Sequence, residues 1–225
     1  MKRLIVFLLM LLLAAACFAQ NDFGLFFDGG IGYTSDENIG LGFVNSAKGF
    51  YFGVGTGIAI SLDGIIDNAN LVGGVNIDFL GKPMMEFVRG QEHYDVENLS
   101  DQVSLRVMPY IEISKSVVSN LYLGFGVGYG FTNLYFGMPP QIYDINITSY
   151  NSYKMTNHSI TPVGFVRYYL GSFYFTLNYE CDIVLNGNIT KLNGDPFTGD
   201  VNGEDNIKGI HHRIRLAVGY TLGFF

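Results

Sequence analysis

Hydrophobic residues occupy every second position in eight separate stretches of the chain. The last stretch, 209–225, reads GIHHRIRLAVGYTLGFF, and the residues between its apolar positions are small or charged. A period of two residues is typical of a β-strand whose two faces meet different surroundings. The predicted strands span about residues 23–34, 49–62, 71–81, 102–114, 120–132, 159–170, 173–185 and 209–225.

Charge placement and loop lengths indicate how these strands are arranged. No Asp, Glu, Lys or Arg falls on the apolar face of any predicted strand. The links after the odd strands are long (35–48, 82–101, 133–158 and 186–208), and those after the even strands are shorter, down to Gly171-Ser172. Long outer loops and short periplasmic turns are typical of outer-membrane barrels. The predicted fold is all-β: a single closed, antiparallel, eight-stranded transmembrane β-barrel with up-and-down topology.

A soluble eight-stranded barrel of lipocalin type, with its apolar face turned inward, is the alternative. Its interior would be filled by side chains or would hold one small ligand. Eight rows of Phe, Leu, Ile, Val and Tyr exceed that volume, whereas the glycine-rich face fits it. The large residues are therefore predicted to point outward, where lipid tolerates such a surface.

The front of the chain predicts export. Residues 1–19 combine Lys2 and Arg3, an apolar run and small residues ending at Ala19, which is typical of a cleaved secretory signal peptide. Lipidation at Cys17 is the alternative. Residues 20–225 then form the barrel domain, located in the outer membrane. Removal of the two basic residues takes the formal net charge from −7 to −9, which makes nucleic acid an unsuitable partner.

Nine charged residues fall on the inward face of the predicted strands. We expect them to pair inside the barrel, because an unpaired buried charge is costly. Strand order places Glu180 and Asp182 next to Arg213 and Arg215, so these four are expected to meet. The network either closes the lumen or forms an ion-selective constriction. Its members are Asp28, Asp78, Arg106, Glu112, Arg167, Glu180, Asp182, Arg213 and Arg215.

Glycines and prolines add further expectations. Two glycine rows, at 53–57 and 124–130, face inward and are expected to make room for tyrosines or to open a cavity for an apolar solute. The tyrosines concerned are Tyr51, Tyr110, Tyr122, Tyr169 and Tyr174. Pro109 and Pro162 lie inside strands that have no free edge, so we expect local bulges there, or a strand end at Pro162.

The sequence predicts no catalytic residue, no metal site and no cofactor. His211 and His212 are adjacent on a strand and point to opposite faces, so they cannot chelate one ion together. His158 beside Ser159 is the remaining candidate for an enzyme acting on lipid or peptide at the outer rim, but sequence neighbours need not meet in space.

The whole predicted mature chain resembles the small eight-stranded outer-membrane barrels of the OmpA/OmpX type. In that family the terminal strand looks like the signal that the barrel-assembly machinery reads, which implies that role for Tyr220, Phe224 and Phe225 and that machinery as a partner. In this chain the alternation places Phe224 on the outward face and Phe225 on the inward face of the last strand. Members serve as anchors, adhesins, narrow pores or enzymes, so the fold alone does not select a function.

These observations favour a non-enzymatic integral outer-membrane protein with a salt-bridged lumen. Its role would be structural, or would lie in surface interaction with an extracellular ligand through the long outer loops, with outer-membrane lipid around it. The alternatives are a porin-like narrow passage for small or apolar solutes and, less favoured, a membrane-embedded enzyme.

Overall fold

β-Strands make up the regular structure of the described residues. The computed structural model describes residues 23–41, 44–81, 84–89, 92–96, 103–138, 151–191 and 209–222. Within these ranges, no helix has the length and apolar character that a membrane span requires. The strands are β1 (Phe23–Leu41), β2 (Val44–Ser61), β3 (Ala69–Gly81), β4 (Met84–Arg89), β5 (Glu92–Val96), β6 (Val103–Val118), β7 (Leu121–Met138), β8 (Asn151–Leu170), β9 (Phe173–Lys191) and β10 (Ile210–Leu222).

Eight of these strands close into an antiparallel barrel, which confirms the predicted architecture. Around the wall the order is β1, β2, β3, β6, β7, β8, β9 and β10, and β10 pairs back onto β1 from Leu222 to Ile210. β4 and β5 form a hairpin that pairs with β2 at its outer end, between Val44 and Lys48. Closure leaves the barrel wall without a free edge in the part shared by all eight strands.

The predicted phase of the strands is confirmed by side-chain exposure. In β10, Ile214 and Leu216 are 53% and 57% exposed, whereas Arg215 between them is 1% exposed. The same alternation places Phe125 of β7 outside and its glycine neighbours inside. Two lysines with described side chains lie on the outward face beyond the predicted strand limits: Lys115 near one end of β6 and Lys154 near the opposite end of the barrel, on β8. We call these the periplasmic and the outer end, after the sides that the loop lengths predict.

The strands run further outward than the sequence indicated. The predicted loops 35–48, 133–158 and 186–208 are partly strand, because β1, β2, β7, β8 and β9 extend into them, and the predicted loop 82–101 contains the β4–β5 hairpin. Alternation of apolar residues fades where both faces of a strand meet water. The backbone ladder to the neighbouring strands continues past that point, so hydrophobic pattern underestimates strand length.

The predicted bulges at the two prolines are wrong, and so is the alternative of a strand end at Pro162, because β8 continues through it. Register is unchanged across Pro109 in the β6–β7 ladder and across Pro162 in the β8–β9 ladder. On their other sides Pro109 pairs with Val75 and Pro162 pairs with Val127. Each strand residue directs its N–H toward one neighbour, so a proline removes bonds on that side only. The irregularity between β8 and β9 lies beside Ser159 instead.

Two-residue turns connect β6 to β7 and β8 to β9 at the periplasmic end. Asn120 has φ of 68° and Gly171 has φ of 62°, a region that glycine and asparagine tolerate. The turn carbonyls also bind the next strand, since Tyr169 N–H donates to Asn120 O and Thr221 N–H donates to Ser172 O, each at 2.8 Å.

Gly171→Ala is expected to lower the free energy of unfolding by about 1–2 kcal/mol, because a Cβ is disfavoured in the left-handed region. Urea titration in phospholipid vesicles, read by the mobility difference between folded and unfolded barrel on cold gels, measures this. Gly164→Ala is the matched control, since Gly164 is exposed and a Cβ there meets nothing within 4 Å. Equal stabilities for the two variants would show that the turn accepts alanine.

Candidate functional site

All nine charged residues predicted for the lumen point into the barrel, and their side chains form ion pairs at three levels. Arg106 has the most partners. Its Nη1 donates to Asp78 Oδ2 at 2.8 Å and to Glu180 Oε2 at 2.7 Å, and its Nη2 donates to Asp182 Oδ1 at 2.6 Å. Arg106 is 1% exposed. Asp78, on the neighbouring strand β3, is paired directly with Arg106, whereas β9 lies three strands away from β6 in the wall. The contacts of Arg106 with Glu180 and Asp182 therefore cross the lumen.

Arg213 and Arg215 take different partners from one another. Arg213 Nε lies 3.0 Å from Asp182 Oδ2, so the expected contact between β9 and β10 exists for this pair. Arg215 instead reaches Asp28 Oδ1 at 2.5 Å and Asn76 Oδ1 at 3.3 Å. The expected meeting of Arg215 with Glu180 or Asp182 is therefore wrong. Its side chain passes Gly53 of β2, where a Cβ would lie 3.3 Å from Arg215 Nε, so the missing side chain of this glycine leaves room for the arginine.

The third level lies nearer the periplasmic turns. Arg167 Nη2 donates to Glu112 Oε1 at 2.7 Å, across the intervening strand β7. The Arg167 guanidinium carbon also lies 4.7 Å from the ring centre of Phe165 and 5.2 Å from that of Tyr174. Aromatic faces attract a cation in this position. Arg167 is thus held by one carboxylate and two rings.

Apolar lumen residues were missed by sequence reasoning. Among the described residues, two buried apolar clusters lie inside the barrel beside the ion pairs, and sequence pattern assigned none of their aliphatic or phenylalanine members to the lumen. The available signal was a pair of adjacent apolar residues, as in Val107-Met108, where one of the two must face inward. The clusters contain Phe26, Ala59, Val72, Tyr169 and Tyr174, and Met108, Val163 and Phe165.

The inward glycines make room for side chains, but largely not the predicted ones. A Cβ at Gly55 would lie 2.5 Å from Asn76 Oδ1 and 2.7 Å from Asp28 Oδ1. In the row 124–130 the neighbours include Phe165, Glu112, Met108 and Ser159. The tyrosines instead lie against glycines outside the two rows: Tyr51 against Gly32, Tyr110 against Gly74, and Tyr174 against Gly219. In each of these cases the inward glycine leaves room for a side chain on an adjacent strand.

The histidines lie on different faces. His211 points inward and is 4% exposed, beside Asp182 in the β9–β10 register. His212 points outward, and its Nδ1 lies 2.7 Å from the Tyr179 hydroxyl. His158 and Ser159 face opposite sides of the wall, so the structure does not bring them together. Among the described residues, no group of three His, Cys, Asp or Glu side chains could hold a metal ion.

The outside of the barrel is apolar, with aromatic pairs toward both ends. Tyr33 and Phe50 are 5.3 Å apart on the outer side, and Phe173 and Tyr220 are 5.1 Å apart on the periplasmic side. Aromatic girdles of this kind flank the lipid-facing band of membrane barrels. The predicted signal peptide and the terminal Phe224 and Phe225 lie outside the described residues. A wall with an apolar exterior and a charged, paired interior has the character of a transmembrane barrel.

Solved structures similar to this chain include three outer-membrane or surface proteins. Neisserial surface protein A is 13% identical, with a TM-score of 0.46 over 90% of this chain and 97% of that one. Ail of Yersinia pestis is 11% identical, with a TM-score of 0.48 over 90% and 100%. A major outer membrane protein of Thermus thermophilus is 14% identical, with a TM-score of 0.44 over 87% and 99%.

No family model and no curated protein matches the sequence. At the identities and TM-scores of the structural neighbours, the strand pairing of this chain, rather than the likeness, establishes its closed barrel. That barrel confirms the architecture implied by the resemblance to small eight-stranded outer-membrane proteins.

Proposed function

We propose that the chain is an integral outer-membrane barrel whose lumen is closed and whose function lies in its outer extensions. It would serve as a structural or surface-interaction protein that contacts an extracellular ligand. Export by a cleaved signal peptide and insertion by the barrel-assembly machinery belong to this proposal, with the terminal strand as the assembly signal.

The ion pairs of the lumen carry the proposal. Arg106 joins three carboxylates from two other strands, Arg167 binds Glu112 two strands away, and Arg215 binds Asp28 on the neighbouring strand β1. A charge held by several short contacts in a low-dielectric interior does not exchange partners easily. Apolar clusters lie beside these ion pairs. This arrangement supports a filled lumen over a solute path.

The outer extensions support the second half of the proposal. β8 has 20 residues, which at about 3.3 Å per residue and a tilt of about 35–45° rises roughly 45–55 Å along the membrane normal. The hydrocarbon core of a bilayer is only about 30 Å thick. Strands that continue far past this thickness, with the β4–β5 hairpin added to β2, place a sheet above the membrane where a ligand could bind.

Planar-bilayer recordings test the closed lumen. The refolded mature chain is expected to produce no steady channels in concentrated KCl, because the ion pairs and apolar clusters fill its cross-section. The variant Arg213→Ala/Arg215→Ala is recorded beside it, with Lys115→Ala as an outward-facing control. Steady openings in the parent, altered by the double variant and not by the control, would contradict closure and make a narrow passage the function.

A further inference from the structure

The outward face of β7 and β8 changes character along its length, just above the apolar band. Below this point the face carries Phe125, 71% exposed, and Val127, 46% exposed. Toward the outer end, four pairs of directly opposed β7 and β8 residues follow. Along the strands these pairs change from aromatic to polar, and the last one contains a lysine. We call these pairs the β7–β8 outer column: Tyr129 with Ile160, Phe131 with His158, Asn133 with Thr156, and Tyr135 with Lys154.

The lower part of the column holds one imidazole in a fixed orientation. The Tyr129 hydroxyl lies 2.9 Å from His158 Nδ1, and the Phe131 ring centre lies 5.0 Å from that of His158. When the hydroxyl donates to Nδ1, the neutral ring carries its proton on Nε2. The histidine then presents an N–H donor on the lipid-facing side of the wall.

The upper part of the column adds two more donors. The Thr156 hydroxyl donates to Asn133 Oδ1 at 3.0 Å, so the Asn133 amide nitrogen keeps its N–H groups for another acceptor. Lys154 Nζ lies over the Tyr135 ring, 5.8 Å from its centre. A lysine at this level can extend its ammonium group toward lipid headgroups while its stem stays on apolar surface.

We propose that the β7–β8 outer column binds the phosphorylated headgroup of a lipid in the outer leaflet. Three nitrogen donors, from His158, Asn133 and Lys154, face the same side of the wall. No Asp or Glu lies among the outward residues of β7 and β8 that the structure describes with side chains. Such a set suits anionic oxygen, which forms the stronger, charge-assisted hydrogen bonds. The inference rests on the proposed membrane location, because the apolar band sets the depth of the headgroups.

Native mass spectrometry of lipid retention tests this site. The refolded mature chain in neutral detergent micelles is supplied with equal amounts of dioleoyl phosphatidic acid and dioleoyl phosphatidylcholine. We expect preferential retention of phosphatidic acid, and Lys154→Gln is expected to reduce that preference about five-fold, since the loss of one direct hydrogen bond to the phosphate costs about 1 kcal/mol. His158→Gln should reduce it further when combined with Lys154→Gln.

The matched control is Lys115→Gln, which removes an exposed outward lysine at the opposite end of the barrel. It should leave the preference unchanged. The proposal is overturned if Lys154→Gln retains phosphatidic acid as well as the parent, or if Lys115→Gln loses as much, which would indicate general charge attraction. Excess inorganic phosphate should not release the lipid, because the acyl chains contribute to binding; release would point to a free-anion site instead. Because the assay needs only the folded barrel, its failure leaves the conductance result unaffected.

Discussion

Replacement of Arg106 by alanine is expected to lower the free energy of unfolding by about 3–5 kcal/mol, the range for breaking a buried ion pair by removing one partner. Arg106 is the shared partner of Asp78, Glu180 and Asp182. Without it, these carboxylates would stay buried with Arg213 as their remaining cation in this cluster of the described lumen. Repulsion among them adds to the lost hydrogen bonds.

Urea unfolding in phospholipid vesicles measures the loss, with the folded fraction read from gel mobility. Arg106→Lys keeps the charge but loses the planar fork, so it should fall between the parent and Arg106→Ala. Lys115→Ala, on the exposed outer wall, should change stability by less than about 0.5 kcal/mol. A cycle with Asp78→Asn should show coupling of about 0.5–3 kcal/mol. A loss below about 1 kcal/mol for Arg106→Ala, well under the range for a broken buried pair, would mean that the carboxylates are satisfied in another way.

Gly126→Ala is expected to destabilise the barrel by about 1–3 kcal/mol, the usual range for overpacking. A Cβ at Gly126 would lie 2.6 Å from Ile111 O, 2.8 Å from Glu112 Cβ and 3.0 Å from Glu112 Cα. Two of these atoms belong to backbone that is fixed in the β6–β7 ladder. The strands must therefore separate locally, and the Glu112–Arg167 ion pair would be displaced as well.

Gly164→Ala is the matched control, because Gly164 pairs with Phe125, the residue before Gly126, and faces outward. Its Cβ would meet nothing within 4 Å, so the change should be neutral or stabilise by a few tenths up to about 1 kcal/mol, through the unfolded chain. The same urea titration compares the two variants. If Gly126→Ala were as stable as Gly164→Ala, the inward glycines would not be required by packing.

Strand phase could be predicted because it depends on residues two positions apart. The row through Ile214, Leu216 and Val218 predicts the outward face of β10, and all three side chains are exposed on that face in the structure. Strand length could not be predicted in the same way. Beyond Thr34 or Ser159 the outward face no longer alternates with the inward one in hydrophobicity, while hydrogen bonding to neighbouring strands continues. The predicted bulges at Pro109 and Pro162 were wrong for a related reason. A proline lacks the N–H that bonds to one neighbouring strand, and the hydrogen bonds to the other neighbouring strand keep the register.

By itself, the sequence determined that the chain forms an eight-stranded barrel with an apolar outside and a charged inside, because a period of two residues and the volume of large side chains are local properties. Only the tertiary structure decided which charges meet. Arg106 and Asp182 are 76 residues apart, and Arg215 and Asp28 are 187 residues apart. The first pair crosses the lumen, whereas the second joins β10 to β1, which are neighbours only because the barrel closes. That choice depends on strands brought together by closure, which no single stretch of sequence encodes.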